Sequence, residues 1–292
     1  MEKGVIVKCI AGFYYVLTDR GVIQCRARGK FRKDEIVPLV GDRVEISINN
    51  DGTGFIQKIE ERKSELIRPK VANVEQCLLV ISAKEPEPNL KFLDKMLVLL
   101  EYYGIRPIIC INKIDLDINR EYRKIAEVYR DIGYDVIETS IYKAESSELL
   151  KGYLKDRITV VSGDSGVGKS SLLNMLQPGL CLKTGDISRK LGRGRHTTRY
   201  VELIILDFGG MVVDTPGFAS IDITLIEKQR LPKLFKEFGK FDAFCKFDGC
   251  LHFKEPDCAV KKAVDDGHIF ENRYSNYVDF LQEIMEYENR RY

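Results

Sequence analysis

One stretch of the sequence, residues 163–170, has the residue types and spacing that hold a chain of phosphates. It reads G-D-S-G-V-G-K-S, which fits the pattern Gly, four residues and Gly-Lys-Ser. Its glycines allow a curled backbone whose N–H groups point at one phosphate chain. Lys169 can reach the β and γ oxygens and stabilise their charge during catalysis, and the Ser170 hydroxyl is placed for Mg²⁺. We predict nucleotide contacts from Gly163, Asp164, Ser165, Gly166, Val167, Gly168, Lys169, Ser170 and Ser171.

A second motif, Asn112-Lys113-Ile114-Asp115, has the chemistry to recognise guanine. The Asp115 carboxylate can accept two parallel hydrogen bonds from guanine N1–H and the exocyclic amine, whereas adenine lacks that pair of donors. Lys113 can lay its aliphatic stem along the purine face. At the end of the next predicted strand, the backbone N–H groups of Ser140 and Ile141 can reach the base oxygen. A motif of only four residues also arises by chance, so this prediction depends on the presence of the phosphate loop in the same sheet.

Two later segments have the composition of nucleotide-dependent switches. Asp214-Thr215-Pro216-Gly217 follows a predicted strand. We predict that Asp214 acts on Mg²⁺ indirectly and that the Gly217 N–H contacts the γ-phosphate. In the polar, Gly-rich segment 179–199, Thr198 is predicted to close over Mg²⁺, with Thr197 as the second choice. A simple β-turn and an unordered basic loop are the alternatives for these two segments.

The residue that orients the attacking water is harder to assign. Many GTP-hydrolysing proteins have a Gln after the Asp-Thr-Pro-Gly motif, but this chain has Phe218, whose ring cannot orient water. Slow intrinsic hydrolysis is therefore expected. His196, or a group supplied by a partner, is the candidate replacement. A solvated loop histidine is the alternative.

A cluster of three cysteines and one histidine has the spacing of a metal site. Cys245, Cys250, His252 and Cys258 read C-x4-C-x-H-x5-C. Three thiolates and one imidazole complete a tetrahedral Zn²⁺ shell without an open position, so one structural zinc ion is predicted per chain. The other five cysteines are scattered, as small buried hydrophobic residues are in a reducing compartment.

Composition limits the class of protein. The chain has 292 residues, 44% hydrophobic and 31% charged, which indicates a globular protein of two or three domains. The net charge is only +2, but residues 1–70 hold 14 Lys and Arg against 10 Asp and Glu. Segment 183–199 is also basic, so a local contact with a polyanion is expected, with ordinary solvated lysines as the alternative. The sequence has no apolar run that is long enough to span a membrane. We expect a cytoplasmic monomer.

The distribution of strand and helix patterns predicts a multidomain α/β protein. Residues 1–65 contain five short β-rich runs, which favour a closed β-barrel of the OB-fold type. Its basic loop at residues 26–33 suits a phosphate backbone. Residues 72–220 alternate strands with helices, which predicts a mainly parallel sheet. Residues 221–292 are predicted to form an α-helical zinc-binding domain, with a helix near residues 230–238. A last helix at 272–288 has an apolar stripe to which only core packing is assigned.

The two nucleotide motifs resemble those of translation-factor-like GTPases, but their order is unusual. The Asn-Lys-x-Asp motif precedes the phosphate loop, as in a circularly permuted P-loop GTPase. With the barrel, the Gly-Arg-His-Thr-Thr segment at 194–198 and the Cys/His cluster, the chain resembles the bacterial ribosome small-subunit-dependent GTPase A family. The resemblance covers nearly the whole chain. One departure is Ile141, where many GTPases have Ala.

This resemblance implies a slow GTPase that the small ribosomal subunit stimulates. It further implies a role late in maturation of that subunit, binding to its rRNA, and GTP, GDP, Mg²⁺ and Zn²⁺ as ligands. Two alternatives stay open. One is a GTP-sensing, RNA-binding tether with negligible turnover, and the other is a P-loop ATPase in which Asn112 to Asp115 is a coincidence.

Overall fold

The structure is a computed structural model that describes residues 1–29, 31, 36–67, 70–180, 201–214 and 222–290. Within these ranges, no helix combines the length and the apolar character needed to cross a membrane.

The N-terminal strands form a closed five-stranded barrel. Glycine and polar turns separate the strands, and the barrel order is β1-β2-β3-β5-β4, with β4 pairing antiparallel to β1. Alternating residues such as Ile6, Val16 and Ile56 fill the interior, as the period of two in these runs predicts. The strands are β1 Glu2–Ile10, β2 Phe13–Thr18, β3 Gly21–Ala27, β4 Arg43–Ile48 and β5 Gly54–Ile59.

A small hairpin, β6 Glu65–Ile67 and β7 Lys70–Ala72, joins the barrel to the rest of the chain. The Ala72 N–H donates to the Val40 carbonyl at 2.9 Å, and the Asn73 amide donates to the Gly41 carbonyl at 2.9 Å. Arg62 binds both carboxylate oxygens of buried Asp42 at 2.8 and 2.9 Å. These contacts hold the hairpin against the base of the barrel.

The central domain is a six-stranded sheet in the order β10-β9-β8-β11-β13-β12. All neighbouring pairs are parallel except β12 with β13. The strands are β8 Gln76–Ser82, β9 Arg106–Asn112, β10 Asp135–Glu138, β11 Ile158–Ser162, β12 Leu203–Ile205 and β13 Met211–Asp214. The predicted mainly parallel sheet is confirmed.

Helices cover both faces of this sheet. On β8, Leu79 and Ile81 pack in one core with the first two helices, whereas Leu78 and Val80 pack in a second core with the next two. Because side chains alternate along a strand, a strand that is apolar throughout must be covered twice. The helices are α1 Leu90–Tyr103, α2 Tyr122–Ile132, α3 Ala144–Leu154 and α4 Lys169–Leu176.

The C-terminal region is helical, with a difference from the sequence prediction near residue 235. Instead of one α-helix, the chain forms two 3₁₀ segments, Leu231–Leu234 and Lys236–Lys240, separated by an extended Phe235. The rings of Phe235 and Phe238 stack at 5.1 Å, and both are buried. Two α-helices follow, α5 Ala259–Asp265 and α6 Glu271–Arg290.

An ionic cluster that the sequence analysis missed joins α6 to the central domain. Arg273 of α6 donates to Asp94 of α1 at 2.7 Å and to Glu237 at 2.7 and 3.0 Å. Tyr129 and Asn276 each donate to Asp94 at 2.6 Å. Arg273 and Asp94 are about 1% exposed, so each charge depends on the others for solvation. Burial raises the pKa of Asp94, which shows how strongly water is excluded here.

Candidate nucleotide site and metal centre

The two predicted nucleotide motifs meet at one edge of the central sheet. The phosphate loop follows β11 and the Asn-Lys-x-Asp motif follows β9, with β8 between the two strands. The Asn112 side-chain amide crosses above the end of β8 and donates to the Val167 carbonyl at 2.9 Å. Carboxyl ends of parallel strands are where open α/β sheets bind ligands, and both motifs lie there.

The glycines of the phosphate loop have conformations that other residues rarely adopt. Gly163, Gly166 and Gly168 have φ angles of +150°, +83° and +98°. A Cβ on Gly163 would lie 2.1 Å from the Val80 carbonyl oxygen, and one on Gly168 would lie 2.4 Å from the Asn112 amide nitrogen. The loop therefore needs glycine both for its backbone angles and for its close approach to β8 and β9.

Lys169 and Ser170 begin α4, directly after the loop. The Lys169 ammonium donates to the carbonyl oxygens of Gly163 and Asp164, each at 2.7 Å, so it reaches across the loop that its own helix follows. Ser170 lies in the first turn of the helix and is largely buried. The positive end of the helix dipole and the ammonium group together make this edge of the sheet favourable for a polyanion.

The residues predicted to read guanine are held by a network at the ends of β9 and β10. The buried Asn112 accepts a hydrogen bond from the Thr139 hydroxyl at 3.1 Å. Lys113 has a φ of +60°, and its ammonium donates to the Glu85 carbonyl. Asp115 is exposed at the mouth of the site. Asn112 thus fixes the backbone from which the Asp115 carboxylate projects.

Ser140 and Ile141 follow β10, next to this network. The Ser140 N–H donates to the Ser146 hydroxyl at 3.1 Å, and the Ser140 hydroxyl accepts from the Tyr142 N–H at 3.2 Å. Ile141 is half-exposed. The Ser140 N–H thus already has an acceptor within the chain, which leaves Ile141 as the better candidate of the two for a base contact.

Asn89, which the sequence analysis did not select, touches the phosphate loop. Its side-chain oxygen caps α1 by accepting from the Phe92 N–H at 3.1 Å. Its amide nitrogen donates to the Asp164 carboxylate at 3.1 Å. The signal for a helix cap was present, since Asn89 immediately precedes an apolar helical pattern. The contact with Asp164 joins residues 75 positions apart and had no sequence signal.

Several predicted switch residues lie outside the described ranges: His196, Thr197, Thr198 and Gly217. Asp214 is the last residue of β13, where its backbone pairs with Val161, two residues before the phosphate loop. The Asp214 backbone therefore lies beside the strand that leads into the phosphate loop.

The four predicted metal ligands form one compact cluster. Their ligand atoms all lie within 4.8 Å of one another. The Cys245 and Cys258 sulfurs are 3.8 Å apart, and His252 Nδ1 lies 3.5 and 3.3 Å from them. A tetrahedral zinc shell places two sulfurs about 3.8 Å apart and a sulfur about 3.5 Å from a nitrogen. A disulfide would need about 2 Å between sulfurs, so the geometry fits a metal ion instead.

The surroundings of the cluster favour a bound cation. Burial lowers the pKa of the His252 imidazole, which keeps it neutral and able to bind metal through Nδ1. Burial also raises the pKa of the Cys250 thiol to about 12, so a cation is needed to hold the thiolate form at neutral pH. The Tyr274 hydroxyl donates to the His252 carbonyl at 2.8 Å, and the Tyr277 hydroxyl donates to the Leu251 carbonyl. The loop that carries the Cys/His cluster, residues 245–258, is thus hydrogen-bonded to α6.

Comparisons with known proteins agree with this arrangement. The sequence model described as RsgA N-terminal domain matches residues 3–56, and the RsgA GTPase model matches residues 59–224. A protein of Caldanaerobacter subterraneus subsp. tengcongensis named small ribosomal subunit biogenesis GTPase RsgA is 53% identical over 290 residues, which cover 99% of this chain and 98% of that protein. The chain belongs to the RsgA GTPase family.

Solved structures of similar proteins support the same assignment. YjeQ from Thermotoga maritima is 42% identical with a TM-score of 0.85, covering 97% of this chain and 98% of that one. YloQ, described as a circularly permuted GTPase, is 45% identical with a TM-score of 0.83, covering 98% and 96%. As in other members of the RsgA GTPase family, the chain is a GTP hydrolase, and its predicted fold class is confirmed. The Cys/His cluster of this fold has the donor atoms and the spacing to hold a metal ion.

Proposed function

We propose that this chain hydrolyses GTP to GDP and phosphate, that the small ribosomal subunit stimulates the reaction, and that the protein acts late in maturation of that subunit. The observation that carries the proposal is the hydrogen bond from Asn112 to the Val167 carbonyl, because it joins the guanine motif to the phosphate loop. Relatives about half identical over nearly the whole chain are named small ribosomal subunit biogenesis GTPases, which supports the biological role.

In this proposal, each motif keeps its predicted part in binding GTP. Asp115 reads guanine through two hydrogen bonds, Lys113 lies along the base, and Ile141 supplies a backbone N–H to the base oxygen. The loop N–H groups of residues 163–171 hold the phosphates. Phosphate oxygens replace the loop carbonyls as acceptors for the Lys169 ammonium. The positive charge of Lys169 then stabilises the negative charge on the transferring phosphoryl group.

In this proposal, residues of this chain hold Mg²⁺, which would supply charge neutralisation at the phosphates. The Ser170 hydroxyl, at the start of α4, is the proposed direct ligand, and Thr198 is the second. Asp214 and Gly217 act as the switch that senses the γ-phosphate. His196 is the proposed group that orients water when the subunit completes the site.

The barrel is the proposed rRNA-binding surface. A cleft in it is lined by Phe13, Tyr14, Arg26, Arg28 and Phe31. The Arg26 guanidinium lies 4.7 Å from the centre of the Phe13 ring. In proteins that bind single-stranded nucleic acid, cationic side chains contact the phosphates and aromatic rings stack on the bases. The metal in the C-terminal cluster is proposed to be Zn²⁺, and the protein to act as a cytoplasmic monomer.

The test is GTP turnover with and without purified small subunits. We expect slow release of phosphate by the protein alone and at least about tenfold faster release with subunits, because a partner then completes the catalytic site. Equal, negligible turnover in both cases would favour a GTP-sensing tether. Displacement of a labelled guanine nucleotide by excess ATP would overturn the guanine assignment, since ATP lacks the donors that Asp115 requires.

A further inference from the structure

The metal-binding region exposes two phenylalanine rings beside its metal ligands. Phe244 is 77% exposed and Phe247 is 44% exposed, and they flank Cys245 in the chain. Phe244 is the most exposed phenylalanine in the part of the chain that the structure describes. We call residues 242–249 the Phe244 face. Large apolar side chains held in water at one place are typical of a contact surface.

The Phe244 face is constrained by backbone hydrogen bonds and by packing against α5. Phe244 ends a 3₁₀ turn, Asp242–Phe244, whose backbone closes with hydrogen bonds of 3.0 Å from Phe244 to Phe241 and from Cys245 to Asp242. The next residue, Cys245, is one of the metal-ligand cluster, and the turn also packs against α5. A ring presented by such a constrained segment loses little conformational freedom on binding, which makes it a good anchor.

The charge around this face is negative. Residues 242–268 contain six acidic residues and four lysines. Two of the lysines are engaged within the domain. Lys246 pairs with Asp257 at 3.3 Å, and Lys261 donates to the Glu255 carbonyl at 2.9 Å. Asp242 and Asp248 are exposed on the face itself. With two carboxylates against the single Lys246, the face favours cationic side chains over a phosphate backbone.

We propose that the Phe244 face binds a Lys- and Arg-rich segment of a protein of the small ribosomal subunit. This inference rests on the proposed function, because it takes the subunit as the partner. Arginine side chains can stack on the exposed phenyl rings while they pair with Asp242 and Asp248. Binding is thus divided between a barrel that fits RNA and a metal-binding region that fits basic protein.

An affinity measurement tests whether this face contributes to binding. The full-length F244A/F247A double variant should bind purified small subunits, in the presence of a non-hydrolysable GTP analogue, about tenfold more weakly than the wild type. D242K/D248K should weaken binding in the same direction. L149A, which truncates a similarly exposed side chain on α3, is the matched control and should bind normally. Metal content and basal GTP turnover should be unchanged in all variants, since these side chains lie outside the metal cluster and the nucleotide site.

A crosslinking measurement identifies the partner. With a photoreactive benzoylphenylalanine in place of Phe244, the full-length protein should form an adduct with a basic subunit protein that protease destroys and RNase does not. An RNA adduct, an adduct between two copies of this chain, or normal affinity of F244A/F247A would overturn the assignment. If the wild type fails to bind subunits, that result contradicts the proposed function and, with it, this inference. Normal wild-type binding together with normal F244A/F247A binding removes the inference alone.

Discussion

Gly168 shows how a single residue joins the two halves of the nucleotide site. Its φ of +98° places it in the left-handed region, and its Cα faces the Asn112 amide so closely that a Cβ would lie 2.4 Å from the nitrogen. The same amide holds the Val167 carbonyl. A side chain at position 168 must therefore disturb the phosphate loop and the guanine motif together.

We expect Gly168→Ala to weaken GTP binding at least tenfold, because about 1–2 kcal/mol of backbone strain adds to displacement of Asn112. Titration with a fluorescent guanine nucleotide measures this. Gly152→Ala is the matched control, since an added Cβ would meet no described atom within 4 Å and the residue lies inside α3. That control should keep full affinity and gain roughly 0.5–1 kcal/mol of stability. Unchanged affinity of Gly168→Ala would contradict the geometry.

Asp115 carries the prediction about base specificity. Inosine lacks the exocyclic amine of guanine, so the wild type should bind ITP about tenfold or more weakly than GTP. Asp115→Asn presents a donor to the base and should weaken GTP binding strongly while bringing the GTP and ITP affinities close together. Competition binding with the two nucleotides gives the ratio. A ratio that Asp115→Asn leaves intact would assign base recognition to another residue.

At the scale of elements, the C-terminal metal loop depends on its ion. The loop between the turn Asp242–Phe244 and α5 contains no regular helix or strand, and it is held by the Cys/His cluster and by Tyr274 and Tyr277 of α6. Small modules of this kind take much of their folding free energy from the metal.

Removing the metal should unfold this loop without abolishing nucleotide binding. Cys258→Ser is expected to lose about one Zn²⁺ per chain by elemental analysis and to raise amide hydrogen exchange in residues 245–258. GTP affinity should change little, because the phosphate loop and guanine motif lie on other elements. Cys9→Ser, which alters a half-buried cysteine of the barrel, should keep its metal. Full metal content in Cys258→Ser would mean that the cluster is not the binding site.

At the scale of the whole molecule, one buried ionic cluster fixes the C-terminal region to the central domain. Asp94, Glu237 and Arg273 come from three separate parts of the chain and lie in a single core with the helices α1 and α6. Lys91 and Asp279 continue the contact at the surface, at 2.6 Å. The apolar stripe of α6 packs in this core, and Arg273 and Asn276 of the same helix bind the Asp94 carboxylate there.

We expect Arg273→Met to destabilise the protein by about 3–5 kcal/mol, because it leaves two carboxylates buried without their counter-charge. Urea unfolding, followed by tyrosine fluorescence, measures the loss. Arg290→Met removes an exposed pair with Glu286 and should cost less than about 1 kcal/mol. The triple variant with Asp94→Leu and Glu237→Leu should recover part of the stability lost in Arg273→Met. Equal stability of the two single variants would show that the cluster contributes nothing.

The sequence by itself determined the elements and the chemistry of each motif. The five barrel strands, the last helix, the guanine motif, the phosphate loop and the metal ligands follow from local spacing, because each needs particular residue types at fixed separations. The family and the fold class were predicted from these motifs and confirmed. The domain boundaries and the roles of individual site residues stay predictions.

Only the tertiary structure decided how distant residues meet. The bonds from Asn112 to Val167, from Asn89 to Asp164 and from Arg273 to Asp94 join positions 55, 75 and 179 residues apart. Asp94 lies on the buried side of α1, but the residue that pairs with it depends on how α6 crosses α1. Such contacts follow from strand order and helix packing, which local residue patterns constrain weakly. The exposure of Phe244 was likewise decided by the tertiary structure, since an aromatic residue beside metal ligands is buried or exposed according to what packs over it.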